Sequence, residues 1–306
     1  MKKPLISVVV PVYGSDLILP ELVKQINDKG QSIEYDLEIV LIDDRGSDKT
    51  WALIKELKKT YPNIKGFKLS RNFGQHPAIT AGFKKSNGQY VIVMDCDLQD
   101  NPKYIPELFN KSKEGFDIVC TLKKAKKYSK FRRITSNLFY YCSNWLTGVK
   151  LENNLGGYTM LNRQAVDSFL LLKDKHRHIS ILFAWLGYNR GFITVVHDDR
   201  FEGESSYSFN TLLKHAVDSI VSNSTKLLSL TIGLSFLFIF ASMILIISIV
   251  IKSFYINFSI GWPSIVVLIL LCTGFILLAI GIMGLYIGRI FEQTKDRPLF
   301  LIQDEV

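Results

Sequence analysis

The chain has neither of the glycine signatures that most often mark a nucleotide site. No Gly-x-Gly-x-x-Gly follows its first strand-like run, which counts against a dinucleotide fold. No Gly-x-x-x-x-Gly-Lys-Ser/Thr is found either, which counts against a phosphate-binding P-loop. Any nucleotide site must then be built from carboxylates and a cation. Cysteine is scarce: Cys96, Cys120 and Cys142 are scattered and Cys272 sits inside an apolar stretch. That spacing gives no zinc site and suits a reducing compartment. Met1-Lys2-Lys3-Pro4 runs straight into strand-like Leu5–Val10 with no signal-peptide cleavage pattern. No recognition-helix or base-stacking motif accompanies the formal charge of +9, so nucleic acid is not an expected partner.

Long apolar runs, in contrast, are present near the C-terminal end of the 306 residues. Leu227 to Ile251 carries no charge, and a second uncharged stretch, Ser253 to Gly288, contains a further candidate span at about Ser264–Tyr286. Each can cross a hydrocarbon core of ~30 Å at ~1.5 Å per residue. Lys226 precedes the first, Arg289, Lys295 and Arg297 follow the second, and Lys252 lies between them. The positive-inside rule then predicts a two-helix transmembrane hairpin over 227–288 with both termini cytoplasmic. A multi-pass protein of the cell (inner) membrane follows, with a catalytic domain over 1–207 and a cytoplasmic tail over 289–306. In 208–226, Phe209, Leu212, Leu213, Ala216, Val217, Ile220 and Val221 form one apolar helical face. Such a helix packs on the domain or lies in the membrane surface; its place before the first span favours the surface.

The first part reads as alternating strands and helices. Ile6–Tyr13 is a continuous apolar run, ended at Pro11, with Asp16 placed to cap a helix over about Leu17–Lys29. Leu37–Ile42 is a second strand ending in Asp43-Asp44, and Ser47 or Asp48 caps the next helix. A third strand, about Lys65–Leu69, leads into Arg71-Asn72 and a helix near Pro77–Ser86. Val91–Met94 is then a buried strand that ends in Asp95-Cys-Asp97-Leu-Gln99. This is the pattern of a mostly parallel α/β sheet, with polar residues at every strand exit. Two carboxylates and an amide at such an exit are either an acidic turn or hard oxygen ligands for Mg²⁺ or Mn²⁺ carrying a substrate phosphate.

Val8-Val-Val-Pro-Val-Tyr13, Asp43-Asp44 with Gly46-Ser47, Arg71-Asn-Phe-Gly-Gln75, Met94-Asp-Cys-Asp-Leu-Gln99 and Arg200-Phe-Glu-Gly-Glu-Ser-Ser-Tyr207 resemble, in order and spacing, the motifs of glycosyltransferase family 2. With Tyr286–Glu292 and Arg297-Pro298 after the apolar runs, the likeness is to its polyprenyl-phosphate glycosyltransferase branch and covers nearly the whole chain. The resemblance implies a GT-A fold and inverting transfer of one sugar from a nucleotide sugar, a UDP-sugar first, to undecaprenyl phosphate. It places Pro11, Tyr13, Asp43, Asp44, Arg71, Asn72 and Asp95 on the donor, and a divalent metal on Asp95, Asp97 and Gln99. Catalytic roles fall to Asp97, Arg132, Arg133 and Arg200, and the acceptor phosphate to these three arginines with Ser205 and Ser206. Arg132 and Arg133 belong to the basic run Lys123–Arg133, similar to the family's mobile loop. A homo-oligomer, a flippase and a downstream glycosyltransferase are partners it leaves open.

Two features depart from the family pattern. Ser206 stands where many members have lysine, and Gly157 and Thr159 stand where related enzymes commonly have an aspartate and an arginine. The second departure points to a donor with different ring substituents. A processive polysaccharide synthase is the enzymatic alternative, opposed by only two spans and no Gln-x-x-Arg-Trp motif. A non-catalytic nucleotide-sugar sensor or scaffold is the other, opposed by intact Asp95, Asp97 and Gln99.

Overall fold

A computed structural model describes residues 5–14, 16–31, 35–124, 144–146, 148, 152, 154–196, 224–253 and 261–306. The chain divides into a sheet unit (Met1–Tyr141, Val149–Ser206 and Arg297–Val306) and a helical unit (Cys142–Gly148 and Tyr207–Asp296). Arg132, Arg133, Arg200, Ser205, Ser206 and the amphipathic segment 209–221 lie outside the described residues.

Among the described residues the sheet unit holds eight strands: β1 (Leu5–Val12), β2 (Asp36–Asp43), β3 (Ile64–Leu69), β4 (Tyr90–Val93), β5 (Ile118–Lys123), β6 (Leu155–Asn162), β7 (Arg190–Val195) and β8 (Ile302–Glu305). They lie in the order β7-β5-β6-β4-β1-β2-β3-β8. The β1–β2, β1–β4, β2–β3 and β5–β7 pairs are parallel, while β6 runs antiparallel to β4 and β5 and β8 antiparallel to β3. The helices α1 (Leu19–Gln31), α2 (Asp48–Thr60), α3 (Gln75–Lys85), α4 (Ile105–Lys113), α5 (Arg163–Leu171) and α6 (Ile179–Trp185) cover both faces. Successive β1 residues accordingly enter different cores. Val8, Val10 and Val12 pack with Leu22, Ile54 and Phe109 on one side, and Val9 packs with Ile79, Phe83 and Phe169 on the other. A strand buried on both faces has no polar alternation to show, hence its unbroken apolar run.

Three local details differ from the sequence reading. β1 continues through Pro11 to Val12, its proline paired in register with Ile42. Asp16 does not cap α1. Its carboxylate accepts the hydroxyls of Ser47 (3.0 Å) and Thr50, tying the β1 exit to the start of α2, where Ser47 accepts the Thr50 N–H. The last residues are not a free tail: Gly66 and Val306 exchange backbone hydrogen bonds at 2.9 Å, and Trp51 Nε1 donates to Asp304 Oδ2 at 3.0 Å.

The helical unit contains α7 (Lys226–Ser253) and α8 (Trp262–Thr294), in contact through Phe238 and Phe275, ring centres 4.1 Å apart. Among the described residues one segment, Leu271–Thr294, is long and apolar enough to cross a membrane, and a shorter apolar one, Leu228–Ala241, lies in α7.

Candidate active site

The chain runs from β1 outward to β2 and β3, then returns to place β4 on the other side of β1. Parallel sheets bind ligands beyond the carboxyl ends of the strands at such a reversal. A cavity of about 450 Å³ opens there, lined by Pro11, Val12, Tyr13, Asp44, Gln75, Asp95, Cys96 and Asp97. Five predicted site residues (Pro11, Tyr13, Asp44, Asp95 and Asp97) are thus brought to one place from three strand exits.

The β4 exit is a turn held from within. Asp95 N–H donates to Asp100 Oδ2 at 3.2 Å, Gln99 N–H donates to Asp97 Oδ1 at 3.1 Å, and Leu98 sits at φ +59°. A leucine in the left-handed region costs of order 1–3 kcal/mol and survives only where the surroundings enforce it. The Asp95 side chain is oriented from α3, where Gln75 Nε2 donates to its Oδ1 at 2.6 Å. Asp100 lies beneath, 4% exposed. Burial, and next the charge of Asp95, push its carboxyl up to about 7. Tyr158 is fully buried nearby; its hydroxyl has no partner among the described residues, and its pKa is raised by burial and by Asp100.

Asp43 and Asp44 part company at the β2 exit. Asp44 accepts the Phe73 N–H at 2.7 Å on one oxygen and the Gly74 N–H at 2.8 Å on the other, so it clamps the β3–α3 loop while facing the cavity. Burial raises its pKa, and those two N–H groups and Arg71 oppose the rise. Asp43 is fully buried and does not line the cavity. Its Oδ1 accepts the Gly46 N–H at 3.1 Å and its Oδ2 has no partner among the described residues, with burial again the largest cause of a raised pKa. The structure gives it the shape of the loop rather than a face on the cavity. Gly46 is needed for that shape, since a Cβ there would meet Gly14 N at 2.6 Å. Arg71 is exposed at the rim with its guanidinium 4.4 Å from the Phe73 ring centre, and Asn72 beside it is exposed too.

Sequence reasoning assigned no role to Gln75, Cys96 or Asp100. Gln75 closes a quoted motif and Asp100 is the third acid of the 95–100 run, but only the fold shows that both bear on Asp95. Of the two departures on β6, Gly157 is exposed beside Asp95, while Thr159 is buried next to Cys120 and opposite Val93.

Among the described residues no group of three or more His, Cys, Asp or Glu side chains could hold a metal alone. Two carboxylates on an open cavity with a nearby amide fit a cation that keeps water and takes substrate phosphate oxygens as its remaining ligands, the habit of Mg²⁺. The donor set suits such a shared site and not a closed cage.

Several known proteins resemble the chain over most of its length. It is 35% identical over 306 residues to the putative glycosyltransferase CsbB of Bacillus subtilis (strain 168), covering 99% of this chain and 93% of that one. It is 33% identical over 304 residues to the bactoprenol glucosyl transferase of Shigella phage SfX, covering 97% and 98%. Among solved structures, the mannosyltransferase PcManGT from Pyrobaculum calidifontis is 14% identical with a TM-score of 0.47, covering 73% of this chain and 63% of that one. The pattern of glycosyl transferase family 2 matches residues 7–170. The chain is a glycosyltransferase and belongs to glycosyltransferase family 2.

Proposed function

We propose that the chain transfers a single sugar, with inversion, from a nucleoside-diphosphate sugar to a polyprenyl phosphate at the cytoplasmic face of a membrane. The observation that carries this reading is the convergence of Asp44, Asp95 and Asp97 with Pro11 and Tyr13 on one cavity at the sheet reversal. A relative matched over 98% of its length, named a bactoprenol glucosyl transferase, supports the acceptor class. Pro11, Tyr13 and Asp44 take the nucleoside: Tyr13 is 60% exposed and offers its ring, and the Asp44 oxygens keep a lone pair each after binding two N–H groups. Arg71 and Asn72 reach the donor from the rim. Asp95, Asp97 and Gln99 hold Mg²⁺ or Mn²⁺, which when bound neutralises charge on the leaving diphosphate.

No general base is required of the protein. A phosphate monoester has its second pKa near ~6, so the acceptor is a nucleophile at neutral pH. Its oxygen bonds to the anomeric carbon from the face opposite the diphosphate, and the anomeric carbon–oxygen bond breaks to release the nucleoside diphosphate. The protein's task is alignment and charge compensation. Arg132, Arg133, Arg200, Ser205 and Ser206, outside the described residues, are the groups assigned to the acceptor phosphate. The membrane setting is part of this proposal, and chain connectivity is compatible with it. Residues before α7 and after α8 belong to one sheet unit, so a chain that enters the bilayer between them crosses an even number of times. A hairpin of α7 and α8 meets that condition.

The test is lipid transfer in detergent with undecaprenyl phosphate, Mn²⁺ or Mg²⁺, and a panel of UDP- and GDP-sugars. Label should enter the lipid fraction and be lost with EDTA and in Asp97→Ala. Nucleotide binding without transfer to any lipid phosphate across the panel would reject the proposal.

A further inference from the structure

We infer that Gly157 is a donor-specificity position, and that the space it leaves beside Asp95 receives an acylamino substituent on the ring of the transferred sugar. The inference rests on the function proposed above. Glycine in a strand interior costs stability, and it persists where the backbone must be unusual, a neighbour is too close, or a ligand approaches. The other described glycines of the sheet unit satisfy one of the first two conditions. Four have positive φ, as Gly14 and Gly74 do. At seven more a Cβ would come within 3.0 Å of a neighbour; at adjacent Gly156 it would lie 2.4 Å from Thr121 Oγ1.

Gly157 satisfies neither. Its φ is not in the left-handed region, and among the described residues the one atom within 4 Å of an added Cβ is Asp95 Oδ2, at an ordinary 3.8 Å. The described part of the fold would accept a side chain here, which leaves the third condition. Asp95 lines the donor cavity, with Gln75 fixing its Oδ1 and its Oδ2 towards the gap. An open, exposed position bordered by a carboxylate oxygen suits a group that combines bulk with an N–H donor. An acylamino group has both, whereas a hydroxyl supplies the donor without the bulk.

The experiment compares UDP-N-acetylglucosamine with UDP-glucose, two donors that differ at one ring position, using wild type, Gly157→Ala and Gly157→Val in detergent with Mn²⁺ and undecaprenyl phosphate. Wild type is expected to favour the acetamido donor. The substitutions should lower its kcat/KM about 10- to 200-fold, the range for one misfitted small group, and leave UDP-glucose within about threefold. Binding of both nucleotide sugars, followed by calorimetry, should shift in the same sense. Apparent melting midpoints should stay within about 2 °C of wild type, since no described atom crowds the new Cβ. Equal losses on both donors, unchanged discrimination, or a wild type that prefers UDP-glucose would each overturn the inference. If no lipid is glycosylated at all, the functional reading fails, and the calorimetric discrimination alone still decides the role of Gly157.

Discussion

Asp44→Asn separates a loop clamp from a ligand contact, because in the structure Asp44 is placed to be both. Its oxygens accept N–H groups from Phe73 and Gly74 at 2.7 and 2.8 Å. Asparagine keeps one acceptor and turns an NH₂ towards the other donor. Hydrogen bonds to a charged group contribute ~1.5–3 kcal/mol each. Losing one and weakening the other should cost about 2–4 kcal/mol. A unit of roughly 200 residues loses ~2–4 °C per kcal/mol, so the ligand-free midpoint should fall by ~4–16 °C. The assay is thermal unfolding in detergent with and without UDP and Mn²⁺, run beside Asp43→Asn. That second variant removes a buried charge whose Oδ2 has no partner among the described residues, so its midpoint should move by less than ~1 kcal/mol equivalent and UDP should still stabilise it. In Asp44→Asn the midpoint and the UDP response should fall together. An unchanged ligand-free midpoint in Asp44→Asn would refute the clamp, and loss of the UDP response in Asp43→Asn would return that residue to the nucleoside.

Three further outcomes are expected. Asp97→Asn should leave the ligand-free midpoint near wild type, the side chain being half-buried, and abolish the added stabilisation that Mn²⁺ gives with UDP; persistence of that increment would remove Asp97 from the metal set. Gly82→Ala places a Cβ 2.2 Å from Val9 Cγ1 and should cost ~1–3 kcal/mol by overpacking. Val9→Ala on the same background should restore part of it, and simple additivity of the two losses in unfolding would contradict the contact. Glu38 accepts hydrogen bonds from Ser7, Lys65 and the Asn87 N–H at 2.5–2.8 Å. Burial raises its pKa, but the Asn87, Lys65 and Ser7 bonds outweigh it and the net shift is downward from 4.5. A lowered carboxyl pKa stabilises the fold above the unfolded value, and that stability is lost as pH falls through the folded one. Glu38→Gln should therefore lower the midpoint at pH 7 and flatten its acid dependence below about pH 4.5; parallel curves for the two proteins would show the shift is absent.

Where local pattern and burial agree, the sequence was readable. β1, β2 and β4 announce themselves because burial on both faces demands apolar runs, and Ser47 caps α2 as its residue type predicts. The acids at the strand exits stood out for the complementary reason, that a carboxylate is unwelcome inside a sheet. What failed to show was whatever depends on distant pairing. Ile302-Gln-Asp-Glu305 looks like a polar tail because three of its four residues are exposed on an edge strand, and edges favour charge. The division of labour between Asp43 and Asp44 is invisible in a dipeptide. It arises because one side chain turns under its own loop and the other reaches the next one. Gln75 serves Asp95 across 20 residues of chain, and nothing in its own surroundings announces that.

The edge strand β8 has a consequence for biosynthesis. Trp51 and Asp304, bonded in the folded protein, are separated by 253 positions, and both apolar helices are made in between. At ~5–20 residues per second the outer edge of β3 waits ~10–50 s for its partner, with the Gly66 backbone groups uncapped. An open β edge in a nascent chain is a template for mispairing. Completion of the sheet thereby follows synthesis of the apolar region, and a chain arrested there has an unfinished β3 edge.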